Sequence, residues 1–154
     1  MKVVINDCFG GFSLSPLAIK RMAELQKRDC YFFTHDWKSE QYIPVKLEDI
    51  NQHSLLVFAF DIPNPNEVLK HKKWSTMTDK QRSKNSNLYS KHIIKNRDYE
   101  RHDTLLIQVV KELGTKANGQ CASLKIVTIP DGTDYEIEEY DGNEHIAEKH
   151  RTWS

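Results

Sequence analysis

The sequence predicts an α+β fold built on a mixed or mostly antiparallel sheet, with two main helices and a C-terminal β-meander. Two segments carry apolar residues at helical spacing behind recognisable caps, Ser15-Pro16 and Asp103. Short runs rich in β formers, residues 1–7 and 54–60 above all, supply strands. Near the C-terminus Asp141-Gly142 lies between two segments of strand character, the dipeptide a type I′ hairpin turn favours. With 154 residues, 38% of them apolar and 10% aromatic, one domain can bury a core without a disulfide frame or structural metal.

In chain order, Val3, Val4 and Ile5 form a short buried strand that ends in Asn6-Asp7-Cys8-Phe9-Gly10-Gly11-Phe12. The adjacent glycines permit positive φ and close backbone approach, so a tight strand-to-helix loop is expected. A helix follows with Ser15 as N-cap, Pro16 at its first position and Leu14 as a staple residue; Ala18, Met22 and Leu25, flanked by Leu17 and Arg21, carry it to about Arg28. Residues 30–34 read as a second strand, 42–45 as extended chain and 47–50 as a helical turn. Residues 54–60 are apolar after the first and read as a central strand. Asp61-Ile62-Pro63-Asn64-Pro65-Asn66 breaks it, and a short helix is expected over 67–74. Asp103 caps a helix over 104–113, with Leu106, Val109, Val110 and Leu113 as its apolar stripe and Gly114 as its stop. Residues 124–129, 135–140 and 144–153 are the three strands of the meander.

Lys plus Arg and Asp plus Glu are each 22, giving zero net charge with seven His taken as neutral. This balance excludes a uniformly basic nucleic-acid coat and a polybasic membrane anchor. No apolar run approaches the roughly 18 residues of a membrane span, and the polar Asn6-Asp7 comes too early for a signal peptide, so the chain is read as cytoplasmic. Cys8, Cys30 and Cys121 are far apart, with no C-x-x-C, so neither a disulfide frame nor a zinc knuckle is encoded. The neutral total conceals a polarity along the chain. Residues 70–97 hold nine basic residues against Asp79, and residues 131–148 hold eight acids and no Lys or Arg. The basic stretch, rich in Ser, Asn and Thr, is expected to be a surface loop or mobile arm at about 70–100 of a single domain. The two halves could neutralise each other within a monomer or across a homo-oligomer contact.

Residues 2–12, the segment 124–130 with 135–142, and Glu148-Lys149-His150-Arg151-Thr152-Trp153 together look like a family of short uncharacterised phage and prophage proteins; residues 109–114 also fit it. The resemblance covers about half of the chain, mostly its ends, and carries no catalytic motif. It implies a setting, since small accessory phage proteins often interfere with host defence, and one mode is sequestration of a nucleotide signal.

Three constellations could bind a ligand. In Asn6, Asp7, Phe9, Gly10, Gly11 and Phe12, backbone N–H groups beside a helix start could cradle an anion while the rings stack on a base. A sharp turn whose aromatics enter the core is the alternative, and the segment matches neither the P-loop nor the dinucleotide-binding glycine pattern. His150, Arg151 and Trp153 combine a guanidinium fork, a stacking surface and hydrogen-bonding groups, or else pack at the core or a subunit contact. The basic stretch 70–97, with Trp74, Tyr89 and His92 interleaved, suits polyphosphate or single-stranded nucleic acid, and a solvated loop is its plain alternative. Arg97 and Arg101 precede the Asp103 helix and could add positive field to its start.

The scattered histidines lack the i, i+4 spacing of a helical zinc site, so no metal or cofactor is expected. His35-Asp36 and His102-Asp103 read as chance neighbours or a helix cap. Cys8 reads as a structural thiol, with a nucleophilic role as the sharper alternative.

The expected function is therefore a phage-type binding protein that sequesters a nucleotide-derived immune signal without turnover. Phosphates would be held by the Gly10-Gly11 loop and by Arg97, Arg101 or Arg151, and Phe9, Phe12 or Trp153 would stack the base. The alternatives are an inhibitor that binds a host defence protein or nucleic acid through 70–97, and a small nucleotide hydrolase using Cys8 or a His/Asp pair.

Overall fold

The computed structural model describes residues 1–50, 57–69 and 76–149. It is an α+β protein in which every strand pair is antiparallel. The chain forms two compact units, residues 1–22 with 96–154 and residues 23–95. Among the described residues no helix is long and apolar enough to cross a membrane.

In the first unit β1 (Lys2–Asn6) pairs with β6 (Leu124–Thr128), with Val4 opposite Ile126. Val3, Val4, Ile5 and Asn6 are all buried, as a strand covered on both faces must be. α1 (Pro16–Leu25), whose last three residues belong to the second unit, starts as its sequence dictates: the Ser15 hydroxyl accepts from the Ala18 N–H at 3.1 Å, and Pro16 occupies the first helical position. It ends three residues before the expected Arg28, and Ile19 and Ala23 join its buried stripe. α4 (Thr104–Leu113) has the expected bounds. The Asp103 carboxylate accepts from the Leu105 and Leu106 N–H groups, and Leu106, Val109 and Val110 bury the apolar stripe. The C-terminal hairpin joins β7 (Tyr135–Tyr140) to β8 (Asn143–Glu148) through Asp141 (φ 49°) and Gly142 (φ 84°), both positive as a type I′ turn requires. The three C-terminal strands do not form one continuous meander. Among the described residues β6 pairs with β1, and β7 pairs with β8 alone.

The second unit holds a four-stranded sheet in the order β3-β2-β4-β5. Its strands are β2 (Tyr31–Asp36), β3 (Gln41–Val45), β4 (Val57–Phe60) and β5 (Ile93–Ile94), so the strand expected over 54–60 lies centrally where it is described. Residues 54–56 lie outside the described residues. β3 is an edge strand, the position its Pro44 permits. The side chain of Asn66 substitutes for a neighbouring strand there, accepting from the Tyr42 N–H (2.9 Å) and donating to the Tyr42 carbonyl (2.8 Å). Asn66 sits on α2 (Pro65–Val68), one short turn; the rest of the helix expected over 67–74 falls mostly outside the described residues. Phe33, Tyr42, Phe60 and Leu69 form the core, with Phe60 edge-to-face against Phe33, Tyr42 and Tyr89. Burial pushes the Tyr42 hydroxyl up to about 12, with a smaller contribution from Tyr89.

The basic stretch departs from its expected form. Residues 79–92 are a helix, α3 (Asp79–His92), and not a loop or arm. A reciprocal capping box starts it: the Gln81 N–H donates to the Thr78 hydroxyl (3.3 Å) and the Thr78 N–H to the Gln81 side chain (3.0 Å). Leu88 and Tyr89 anchor its C-terminal half on the unit's core. No α3 residue is buried; a local cap, the half-buried Leu88 and Tyr89 and the bond from His92 to Asp61 hold a strongly polar segment in place.

Candidate functional site

The glycine loop is organised by Asn6, whose side chain is fully buried. Its amide donates to the carbonyls of Cys8 (2.7 Å) and Gly142 (2.6 Å), and its Oδ1 accepts from the Ser123 N–H (2.7 Å) and the Cys8 thiol (3.4 Å). The Asn6 N–H donates to Glu144 at 2.8 Å. Glu144 also accepts two parallel 2.8 Å hydrogen bonds from Arg101, and the Arg101 guanidinium lies 3.6 Å from the Phe12 ring centre. The Gly10 N–H donates to the Asp141 carbonyl at 3.2 Å. A Cβ on Gly142 would fall 2.6 Å from the Gly10 nitrogen. The β7–β8 turn therefore occupies the space that an anion at the glycine pair would need.

The predicted ligand residues separate accordingly. Asn6, Gly10, Phe12 and Arg101 are engaged within the fold, and Phe12 is a core residue. Asp7 pairs with Lys125 at 3.0 Å on the surface. Gly11 adjoins the Gly142 turn. Phe9 is 65% exposed and Arg97 is exposed, with no hydrogen-bond or ion partner for Arg97 among the described residues. His150, Arg151 and Trp153 lie outside the described residues. An open cleft of about 640 Å³ adjoins Arg101, but Asp98, Glu100, Asp134 and Glu136 also line it, which disfavours phosphate. Glu144, one of the eight acids between 131 and 148, is the residue missed. No local pattern marks it, because its partners are 43 and 138 positions away.

α3 presents a cationic surface. Lys80, Lys84 and Lys91 stand at i, i+4 and i+11, within about 40° of one another around the axis and roughly opposite Tyr89. All three are exposed and form no ion pair among the described residues. With Ser83, Asn87 and Leu88 they line a groove of about 450 Å³. Arg82 is drawn to Asp79 at 3.2 Å. Lys70, Lys72 and Lys73 lie outside the described residues.

A carboxylate–imidazole pair also forms where none was expected. Asp61 meets His92 Nδ1 at 2.8 Å through one oxygen and the Arg28 guanidinium at 2.8 Å through the other. Burial raises the Asp61 carboxyl, but hydrogen bonds from Arg28 and His92 outweigh it and hold the group below its ordinary value. The sequence-adjacent pairs do other work: Asp36 accepts from Lys38 and Ser39 in a turn, Asp103 caps α4, and His102 meets the Tyr135 hydroxyl. Among the described residues no group of three or more His, Cys, Asp or Glu could hold a metal ion. The chain matches no family model, no curated protein and no solved structure.

Proposed function

We propose that this is a binding protein whose working surface is the lysine face of α3 and whose partner is the phosphate backbone of a nucleic acid. The supporting observation is the alignment of Lys80, Lys84 and Lys91 on one exposed face of an ordered helix. Eleven residues of helix span about 16 Å, and Ser83 and Asn87 between the lysines add neutral donors for phosphate oxygens. Such contacts read charge and spacing rather than sequence. The anti-defence setting that the phage resemblance implies belongs to the same proposal. Sequestration of a small nucleotide at the glycine loop has less support, because the Gly10 N–H, Phe12 and Arg101 already have partners.

The test is fluorescence anisotropy with a labelled duplex and a labelled single strand across a salt series. Three phosphate contacts predict a log–log salt slope of about −2 to −3, a loss of roughly 20- to 40-fold between 50 and 200 mM salt. K80E/K84E/K91E should abolish binding while preserving the circular dichroism spectrum. Salt-independent binding, no binding, or equal binding by the triple variant would refute the proposal. Binding of a nucleotide but neither oligonucleotide in parallel calorimetry would return the glycine loop to first place.

A further inference from the structure

We infer that Cys8 and Cys121 are a redox-modification site, a thiol pair that closes to a disulfide on meeting a small disulfide such as oxidised glutathione. The two residues are 113 positions apart, yet the Cys8 thiol donates to the Cys121 carbonyl at 3.3 Å. The fold brings them together where β1 and β6 leave their ladder. The Asp7 N–H still donates to the Ser123 carbonyl at 2.8 Å, one step beyond the last strand pair; Cys8 and Ala122 come next, and Cys121 is one residue further along its segment. Gly10 closes over the second cysteine, since a Cβ at Gly10 would lie 2.6 Å from the Cys121 Cβ. The loop thus holds the Cys8 thiol against the backbone of Cys121, so a side-chain rotation at the exposed Cys121 is what must bring the two sulfurs together.

Accessibility sets the order of events. Cys121 is exposed and Cys8 is half-buried. The Cys121 thiolate attacks one sulfur of oxidised glutathione and expels the first glutathione thiolate. The Cys8 thiolate then attacks the Cys121 sulfur of the mixed disulfide and expels the second. Two protein thiols lose two hydrogens, and the protons and the electron pair leave with two reduced glutathione molecules. The new bond replaces the Cys8 S–H donor to Asn6 and staples the glycine loop to the turn before β6. Cys30 lies in the second unit, which contains no other cysteine, and serves as the internal control.

The experiment treats the full chain with oxidised glutathione and maps tryptic peptides without reduction. The expected product links the peptide spanning 3–20 to that spanning 117–125 within a monomer, with the mass of two lost hydrogens. In Cys8→Ser a stable glutathione adduct should accumulate on Cys121, and Cys30→Ser should leave the cross-link unchanged. The inference is overturned if Cys8 and Cys121 end as separate glutathione adducts in the unsubstituted protein, if both stay reduced, or if the cross-link joins two chains. These outcomes are independent of nucleic-acid binding by α3.

Discussion

Replacing Arg101 by Met keeps most of the aliphatic stem and removes the guanidinium, so it isolates the charge at the centre of the first unit. Two 2.8 Å hydrogen bonds to Glu144 are lost, together with the contact 3.6 Å from the Phe12 ring centre. The Glu144 side chain is only 7% exposed and keeps the Asn6 N–H as its donor. A buried carboxylate stripped of its cation typically costs about 3–5 kcal/mol, with the cation–π contact inside that range. At about 2–4 °C for each kcal/mol the melting temperature should fall by roughly 10 °C. Arg101→Met/Glu144→Met leaves no orphan charge, only the Asn6 N–H, worth about 1–3 kcal/mol. The double variant should therefore be no less stable than Arg101→Met alone and far above the sum of the two single losses. Urea denaturation of the four proteins, followed by circular dichroism, gives the cycle. A loss below about 1 kcal/mol for Arg101→Met, or simple additivity, would show that the pair behaves as a solvated surface pair and would refute the reasoning.

Gly142→Ala should cost more than about 1 kcal/mol, because φ is 84° and the new methyl meets the Gly10 and Gly11 nitrogens; faster amide exchange at Gly10 is the check. Thr78→Ala removes the α3 capping box and should cost about 1 kcal/mol, read as faster exchange at the Gln81 amide and weaker oligonucleotide binding through Lys80. Asp61 is held below its ordinary 3.8, so its contribution is present above that value and is lost as the pH falls through the lower folded value. Asp61→Asn should accordingly flatten the acid limb of the stability profile below about pH 4, and an unchanged limb would count against the Arg28–Asp61–His92 link. Lys84→Ala alone should make the salt slope of oligonucleotide binding shallower by about 1 while leaving stability unaltered.

Elements governed by near neighbours in the chain were legible from the residues alone. The Ser15-Pro16 start, the Asp103 cap, the 104–113 helix and the Asp141-Gly142 turn each depend on a few adjacent residues and stand where their local signals put them. α3 was legible in the same way through Thr78 and Gln81, a capping-box spacing, but its charge and scarcity of apolar residues read as a loop. The pattern cannot show that Leu88 and Tyr89 would find a core to anchor on, or that His92 would meet Asp61.

The candidate sites divide along the same line. The order of amino acids set which residue types are available: a glycine loop with aromatics, three cysteines, a basic middle and an acidic end. Packing chose which of them meet. It set β6 rather than a meander neighbour against β1, filled the glycine loop with the hairpin turn, and placed Glu144 between Asn6 and Arg101. It also paired Asp61 with His92 across 31 residues and set the Cys8 thiol against the Cys121 carbonyl across 113. Local rules act through backbone dihedrals and caps within one turn of chain, whereas these contacts are fixed by which apolar faces find partners, and that is settled only when the whole unit packs.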